Sequence, residues 1–364
     1  MVKQVVVIGA GVYGASVAAS LTRRGARVTV VDAGAPAGGT SGATFSWTNS
    51  FGKQPKAYHE LSVASMAAHR KLAAETPLGD WYHEGGNLVW AGGDAERAKL
   101  RARVAGVQDN GYEARWLNRE DVLRLEPDLD PAGLPADEIA YLPREGWLEP
   151  VRLVAHLLAG AVAGGAELVV DDAVVGLEVA ADEVRAVRLD SGRRLVARAV
   201  VNCAGPRAAQ VAALAGLALP MVNTCGVLVH TSPAAVALSR VVHAPRVHLR
   251  PAGGGRLLLH SNETDATSGC GEVDRAAVDA LLAEARLLYP GLRTATVERV
   301  RVGERPIPGD GLPVLGRVAA LPNFHFAVSH SGATLSVHVG DLVAGEMLGE
   351  DQGDTLAPFR FERF

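Results

Sequence analysis

A short glycine-rich segment, GAGVYGASVA, limits the fold more than any other part of this sequence. Its glycines, Gly9, Gly11 and Gly14, follow the apolar run VVVI, which is typical of a strand buried on both faces of a sheet. A helical pattern covers residues 15–24, and a second apolar run, VTVV, ends at Asp32. The pattern predicts the strand, turn, helix and strand of a parallel α/β unit.

Each glycine has its own purpose in such a unit. The first permits a tight turn, the second lets the backbone approach a pyrophosphate, and the third lets the helix pack closely on the strand. The phosphates then meet the unpaired N–H groups at the positive end of the helix, and Asp32 can accept hydrogen bonds from a ribose diol. The alternative is an ordinary tight turn, which would not need all of these features. The segment therefore predicts a dinucleotide site, and the acid at position 32 disfavours NADP.

Composition narrows the class of protein. A chain of 364 residues suits two domains, and 48% hydrophobic with 21% charged residues is typical of a soluble globular enzyme. The net charge of −4 argues against nucleic acid or an anionic membrane as a partner. No apolar run reaches the roughly 18 to 20 residues that span a bilayer, and no signal peptide is recognisable. Cys203, Cys225 and Cys270 show no metal-ligand spacing, so we expect reduced thiols, no metal site and a cytoplasmic protein.

Three further segments have features of ligand-binding turns. GGTSGATFSW is a polar, glycine-rich loop soon after Asp32, and its alternative interpretation is a solvated connection. VVNCAG is an apolar strand that ends without bulky side chains, at the sheet edge where α/β folds bind ligands. SHSGATLS joins the strand FHFAV to a helix, whose N-terminus would stabilise negative charge on a reduced flavin ring. Between the first two of these segments, the stretch AELVVDDAVVGLEVA is predicted to form one strand.

Together these motifs make the sequence similar to the flavin-dependent amine and amino-acid oxidoreductases of the D-amino-acid oxidase type. The resemblance rests on six segments in order: GAGVYGASVA with Asp32, GTSGATFSW, DDAVVGLE, VVNCAG, GERPIPGDGLPVLG and SHSGATLS. It implies an α/β (α+β overall) fold, in which an antiparallel-sheet substrate domain is inserted into a Rossmann-like FAD-binding domain. The expected ranges are 1–80, 144–219 and 299–364 for the FAD-binding domain, and 81–143 and 220–298 for the substrate-binding domain.

The resemblance also implies which residues bind FAD. Gly9, Gly11 and Gly14 would hold the pyrophosphate, and Asp32 the adenosine ribose. The other implied positions are Ala33 after the acid; Thr40, Ser41 and Ala43 in the loop that leads to the flavin ring; Val174 at the adenine; Ala204 and Gly205 beside the pyrophosphate; and Gly332, Thr334 and Leu335 at the ribityl chain and pyrimidine edge. No cysteine or histidine occurs where some relatives attach FAD covalently, so noncovalent FAD is expected.

Arg305, in GERP, matches the family's arginine that pairs with the substrate carboxylate in several members. A guanidinium suits this purpose because it grips a carboxylate through two parallel hydrogen bonds. The alternative is a structural ion pair. Glu304 replaces the family's usual apolar residue, and we expect it to neutralise part of the arginine's charge.

Other candidates for the chemistry follow from position. His330 precedes the C-terminal flavin loop, His260 ends the strand RLLLH, and Trp47 belongs to a bulkier loop than in many relatives. Each of them is by default a packed or surface residue. His248 and Arg250 alternate along one strand, so both would face the substrate.

The sequence thus predicts FAD-dependent oxidation of the C–N bond of an amino acid or secondary amine. Hydride transfer to flavin N5 would leave an imine, which water hydrolyses to an oxo acid and ammonia or an amine. The alternatives are a flavin-dependent tailoring oxidase of a larger or carrier-linked amine, and a non-catalytic FAD-binding subunit. The substrate and its chirality, the oligomeric state, and the choice between oxygen and another electron acceptor stay open.

Overall fold

The glycine turn joins a buried strand to a helix, as the sequence predicts. In the computed structural model, which describes residues 4–77 and 79–364, the strand covers Gln4–Ile8 and the helix covers Val12–Arg23. The strand's four apolar residues are at most 4% exposed, because the sheet is covered on both faces.

Strands and helices follow along the whole described chain. The strands are β1 Gln4–Ile8, β2 Arg27–Val31, β3 Trp47–Thr48, β4 Tyr82–His83, β5 Asn87–Val89, β6 Arg115–Leu117, β7 Ile139–Leu142, β8 Gly146–Leu148, β9 Glu167–Val169 and β10 Val174–Ala180. They continue as β11 Glu183–Leu189, β12 Arg194–Val196, β13 Ala199–Asn202, β14 Thr224–Thr231, β15 Val241–His243, β16 His248–Pro251, β17 Leu257–His260, β18 Val297–Arg305, β19 Val314–Val318 and β20 Leu321–Val328. The helices are α1 Val12–Arg23, α2 Lys56–Glu75, α3 Asp94–Asp109, α4 Arg119–Leu125, α5 Pro150–Ala163, α6 Ala208–Ala213, α7 Asn262–Thr267, α8 Arg275–Leu288, α9 Gly332–Met347 and α10 Gly353–Leu356.

A six-stranded sheet forms the first half of the fold, in the order β19-β20-β13-β1-β2-β9. Five of its strands are parallel, and β19 pairs antiparallel with β20 at one edge. Helices α1, α5 and α9 cover one face through residues such as Leu21, Leu153 and Val343. The antiparallel sheet β10-β11-β12 packs on the other face. The carboxyl ends of β1, β2 and β13 therefore meet at one edge, where the predicted dinucleotide motif lies.

The second large sheet has eight strands, in the order β18-β14-β17-β16-β15-β5-β7-β6. Its pairings are antiparallel except for β15 with β5. Helix α8 packs on one face, where Leu281, Leu282 and Ala285 are almost fully buried. The mixed α/β architecture agrees with the fold class that the sequence predicts.

The predicted strand AELVVDDAVVGLEVA is wrong, because the chain turns in its middle. β9 belongs to the six-stranded sheet, whereas β10 belongs to the three-stranded one. Asp171 has a φ of 54°, a left-handed conformation that aspartate tolerates better than most residues. The Asp172 carboxylate accepts hydrogen bonds from the N–H and hydroxyl of Ser191. Two adjacent acids thus make a turn inside an apolar pattern.

The expectation of three reduced thiols also needs correction. The structure joins Cys225 on β14 to Cys270 by a disulfide, with Cα atoms 5.3 Å apart, and Cys203 is a buried free thiol. The two partners are 45 residues apart in sequence, so only the folding of the substrate sheet brings them together. Within residues 4–77 and 79–364, no helix has both the length and the apolar character needed to cross a membrane.

Candidate active site

The glycines of the turn after β1 let it pack tightly against the neighbouring backbone. Gly9 has a φ of 106°, and a Cβ atom there would overlap the carbonyl oxygen of Cys203. A Cβ on Gly14 would overlap the carbonyl oxygen of Gly9, so this glycine lets α1 pack against the turn. A Cβ on Gly11 would lie 3.0 Å from the Ser41 hydroxyl. The geometry agrees with the tight turn inferred for Gly9 and with the close helix packing inferred for Gly14.

Asp32 follows β2 beside this turn. Its Oδ2 accepts the N–H of Ala10 at 2.6 Å, and its Oδ1 accepts the N–H of Gly34 at 2.9 Å. These two bonds hold the carboxylate in place. Because each carboxylate oxygen can accept more than one hydrogen bond, a ribose diol can still bind there.

A cavity of about 770 Å³ opens over the turn and the carboxyl ends of the parallel strands. It is lined by most of the predicted cofactor residues, namely Gly9, Gly11, Asp32, Ala33, Thr40, Ser41, Ala43, Val174, Ala204, Gly205 and Gly332. Thr334 lines a neighbouring cavity instead. Leu335 is fully buried, and its N–H donates to the carbonyl of Ser331 within the first turn of α9.

The neighbouring cavity, of about 810 Å³, lies between this loop region and the eight-stranded sheet. The two cavities share six residues, Thr40, Ala43, Thr44, Gly303, His330 and Ala333. The four predicted catalytic residues, Trp47, His260, Arg305 and His330, all line the second cavity. An elongated ligand can therefore extend from the glycine turn to these side chains.

Arg305 ends β18 and pairs with Asp265 rather than with Glu304. Its Nη2 donates to Asp265 Oδ2 and lies 3.0 Å from His260 Nε2. Side chains alternate along a strand, so Glu304 points away and accepts a hydrogen bond from Asn223 at 3.0 Å. The expected neutralisation by Glu304 is therefore wrong, and Asp265 has that effect instead.

His330 faces the junction of the two cavities. Burial, together with the nearby charges of Lys53 and Arg305, lowers the pKa of His330 to about 4. The imidazole is therefore neutral at pH 7.

Three histidines form a row across the eight-stranded sheet, which we call the histidine ladder. His243, His248 and His260 are direct cross-strand partners on β15, β16 and β17. The Nδ1 atoms of His248 and His260 are 3.2 Å apart, and the rings of His243 and His248 are 4.5 Å apart between centroids. The Phe45 ring packs edge-on or tilted against all three rings, with centroid distances between 5.8 and 6.4 Å. The ladder thus makes one wall of the second cavity.

A buried carboxylate, Glu145, stands behind this wall between β7 and β8. It accepts four N–H groups: from the Trp47 ring at 3.0 Å, the Asn87 amide at 3.0 Å, and the backbones of Ser50 and Phe51 at 3.1 and 2.9 Å. Burial raises its pKa to about 7, while these donors favour the charged form. Glu145 thereby ties the loop that carries Trp47 to the substrate sheet.

Arg250 does not have the substrate contact expected from the alternation on β16. It is 3% exposed and donates to the carbonyls of Phe45 and Pro251 and to the Glu149 carboxylate. These bonds use Nε and Nη1, and Arg250 does not line the second cavity, so its part is structural.

Sequence reasoning missed four residues of this region: Asn87, Glu145, His243 and Asp265. His243 ends the short strand VVH, in which every residue is buried, so no alternation distinguishes it. Glu145 and Asp265 lie in polar stretches that look like solvated loops, so no local pattern marks them. Among residues 4–77 and 79–364, no group of three or more histidine, cysteine or acidic side chains is placed to hold a metal ion.

The two joined cavities fit FAD. The glycine turn and the N-terminus of α1 suit a pyrophosphate, Asp32 suits a ribose, and the second cavity accepts a ring system beside the ladder. A model of the FAD dependent oxidoreductase family matches residues 4–346. The chain belongs to this family. The family is the one that the sequence resembles, and the FAD prediction is confirmed.

Relatives match this FAD-dependent oxidoreductase along its whole length. Glycine oxidase of Geobacillus kaustophilus (strain HTA426) is 28% identical over 369 residues, covering 99% of this chain and 96% of that protein. The crystal structure of glycine oxidase from Geobacillus kaustophilus has a TM-score of 0.89 at 27% identity, covering 100% and 99% of the two chains. Iminodiacetate oxidase from Chelativorans sp. BNC1 has a TM-score of 0.83 at 26% identity, covering 98% of each chain. These matches confirm the fold class.

Proposed function

We propose that the protein oxidises the C–N bond of a small amino acid or secondary amine. When bound, FAD supplies the hydride acceptor at its N5 atom. The resulting imine would be hydrolysed by water to an oxo acid and ammonia or an amine. The observation that carries this proposal is a cavity that runs from the glycine turn to Arg305, in a chain whose relatives include glycine oxidase and iminodiacetate oxidase.

We further propose that noncovalent FAD is held by the residues predicted from sequence. The glycine turn with Asp32 would bind the adenosine diphosphate part, and the N-terminus of α9 would stabilise charge on the ring. The full set is Gly9, Gly11, Gly14, Asp32, Ala33, Thr40, Ser41, Ala43, Val174, Ala204, Gly205, Gly332, Thr334 and Leu335. In this set, Gly14 and Leu335 support the site from the core rather than line it.

Arg305 would receive the substrate carboxylate. Its Nη2 already bonds Asp265, its Nη1 donates to the carbonyl of Cys225 at 3.4 Å, and the residue lines the cavity. Asp265 would hold the guanidinium at a constant angle, which favours a bidentate contact. His260 and His330 would contribute polar contacts beside it, and Trp47 would form a side wall.

The division into domains is also a proposal. Every strand of the six-stranded sheet falls within 1–80, 144–219 and 299–364, which supports these ranges for the FAD-binding domain. Strand β18 pairs with β14 along its length, which favours a boundary after Arg305 rather than at 299. Oxygen or another electron acceptor completes the proposed function, and the Cys225–Cys270 disulfide removes the thiol argument for a cytoplasmic location.

The test is the visible spectrum of the purified protein under anaerobic conditions. Glycine, sarcosine, proline and a panel of D- and L-amino acids are added in turn, and bleaching of the oxidised-flavin band by one of them is expected. Readmitting air then separates an oxidase from a dehydrogenase. A flavin band that no amino acid bleaches would contradict the proposal and favour a larger amine or a non-catalytic protein.

A further inference from the structure

His243 lies at the end of the histidine ladder farthest from Arg305, because β15 is separated from β18 by three strands. Its side chain lines the cavity, although the residue as a whole is only 9% exposed. The Trp47 ring packs on the imidazole with centroids 4.2 Å apart. The ring is therefore held firmly, with one edge towards the protein and one towards the cavity.

The protein-facing edge is set by a chain of two hydrogen bonds that starts at Glu145. The pKa of Glu145 is about 7, and its ionised form, which dominates at pH 8, only accepts, so the Asn87 side chain turns its NH₂ group to Glu145 at 3.0 Å. The Asn87 oxygen then faces His243 Nδ1 at 2.8 Å, and an amide oxygen also only accepts. His243 Nδ1 must therefore carry the hydrogen. This fixes the tautomer of the ring without any assumption about the ligand.

The cavity-facing edge follows from the same tautomer. In a neutral imidazole with a hydrogen on Nδ1, the Nε2 atom carries the lone pair. Burial keeps the pKa of His243 well below 6.5, and the neighbouring His248, His260 and Arg103 lower it further. Within the described residues, Nε2 has no hydrogen-bond partner. The structure therefore presents a hydrogen-bond acceptor to the cavity at this point.

The two ends of the ladder have opposite hydrogen-bonding character. Arg305, beside His260, offers only donors, whereas His243 offers an acceptor. The carboxylate of an α-amino acid accepts hydrogen bonds and its neutral amine donates one, so the polarity of such a substrate matches that of the ladder.

We propose that His243, held by Glu145 and Asn87, accepts the N–H of the substrate amine through Nε2. This inference rests on the proposed function and names the group that orients the amine. The hydrogen bond would fix rotation about the C–N bond, so that the reacting C–H keeps a constant direction. His243 is then a substrate-binding residue, and Glu145 and Asn87 are positioning residues that act through its tautomer.

The first experiment compares sarcosine with N,N-dimethylglycine. As neutral amines, sarcosine carries one N–H and N,N-dimethylglycine carries none, so only sarcosine can donate to His243 Nε2. We expect His243→Phe to lower the kcat/KM for sarcosine by about 10- to 100-fold, with less than about a threefold change for N,N-dimethylglycine. If another amino acid reduces the flavin better, its own N-methyl and N,N-dimethyl forms are compared. The matched control is His156→Phe, since His156 stacks on Trp81 outside the cavity and should leave both values unchanged.

Equal losses for both amines in His243→Phe would overturn the inference and leave the proposed function standing. If no amine reduces the flavin of the wild-type protein, the proposed function fails and the inference fails with it. The two failures are thus distinguishable in one set of assays.

A second experiment reads the tautomer directly and needs no turnover. Histidine labelled with ¹⁵N is incorporated, and the His243 signals are identified by their loss in His243→Phe. At pH 8 we expect a protonated Nδ1 and an unprotonated Nε2, and a mixture of tautomers in Asn87→Leu. The same Asn87→Leu variant should lose part of the preference for sarcosine, which a purely structural role would not affect. A hydrogen on Nε2 in the wild-type protein would overturn the inference.

Discussion

The glycine turn and the histidine ladder are built in opposite ways. At the turn, the site is shaped by backbone, and a single Cβ on Gly9 or Gly14 would overlap a carbonyl oxygen. At the ladder, the site is shaped by side chains from separate strands, which a buried carboxylate and an ion pair hold in place. The first kind of site fails when an atom is added. The second fails when a hydrogen-bond partner is removed.

Gly14→Ala should have the largest effect, because it changes the turn itself. The new methyl group would overlap the carbonyl oxygen of Gly9 and touch Val7, so α1 and the turn must separate. We expect about 3 kcal/mol or more of lost stability and loss of FAD during purification. The ratio of visible to ultraviolet absorbance measures the FAD that stays bound, and the midpoint of thermal unfolding measures the stability. Gly160→Ala, at an exposed site in α5 with no atom near the added carbon, is the control and should retain FAD.

Glu145→Gln tests how the histidine ladder is held, through the pH dependence of the protein's stability. Burial raises the pKa of Glu145 from 4.5 to about 7, so between these values the folded protein keeps a proton that the unfolded chain has released. The contribution of Glu145 to the free energy of unfolding is fully present below pH 4.5. It is lost as the pH rises through 7, which lowers the free energy of unfolding by roughly 3 kcal/mol. Urea unfolding of both proteins between about pH 5 and pH 8 measures it. The difference in the free energy of unfolding between wild type and variant should change across this pH range. A constant difference would contradict the prediction.

Arg305→Met should have the smallest of the three effects, because the Arg305 side chain is 26% exposed and its loss removes one ion pair without adding an atom to the core. We expect the apparent affinity for amino acids to fall about 30-fold, or ~2 kcal/mol, with a smaller change in the limiting rate of flavin reduction. Rapid-mixing reduction at several substrate concentrations separates the two. Arg299→Met, an exposed arginine on the same strand, is the control. A loss in Arg299→Met as large as in Arg305→Met would point to general charge rather than a specific contact.

The glycine turn could be predicted because its parts lie within about thirty residues of one another. Gly9, Gly14 and Asp32 belong to one strand, turn, helix and strand, and each type of residue has a local reason for its place. The double aspartate at 171 and 172 was not recognised as a turn. An apolar pattern on both sides hid the change of sheet, since periodicity alone does not say which sheet a strand joins.

The histidine ladder required the tertiary structure. His243, His248 and His260 are separate polar residues in the sequence, and only the register of β15, β16 and β17 makes them neighbours. Asp265 likewise becomes the partner of Arg305 across 40 residues. Strand alternation predicts which face a side chain occupies but not which side chains oppose it.

By itself, the sequence determined the dinucleotide motif, the α/β fold class and the resemblance to a flavin family, because these depend on short-range patterns and on the order of motifs. The tertiary structure decided where hydrogen-bond donors and acceptors lie along the cavity wall. Glu145 receives its four hydrogen bonds from residues 58 to 98 positions away. A buried carboxylate persists only where such distant donors converge, and that convergence exists only after the two sheets have packed around the cavity.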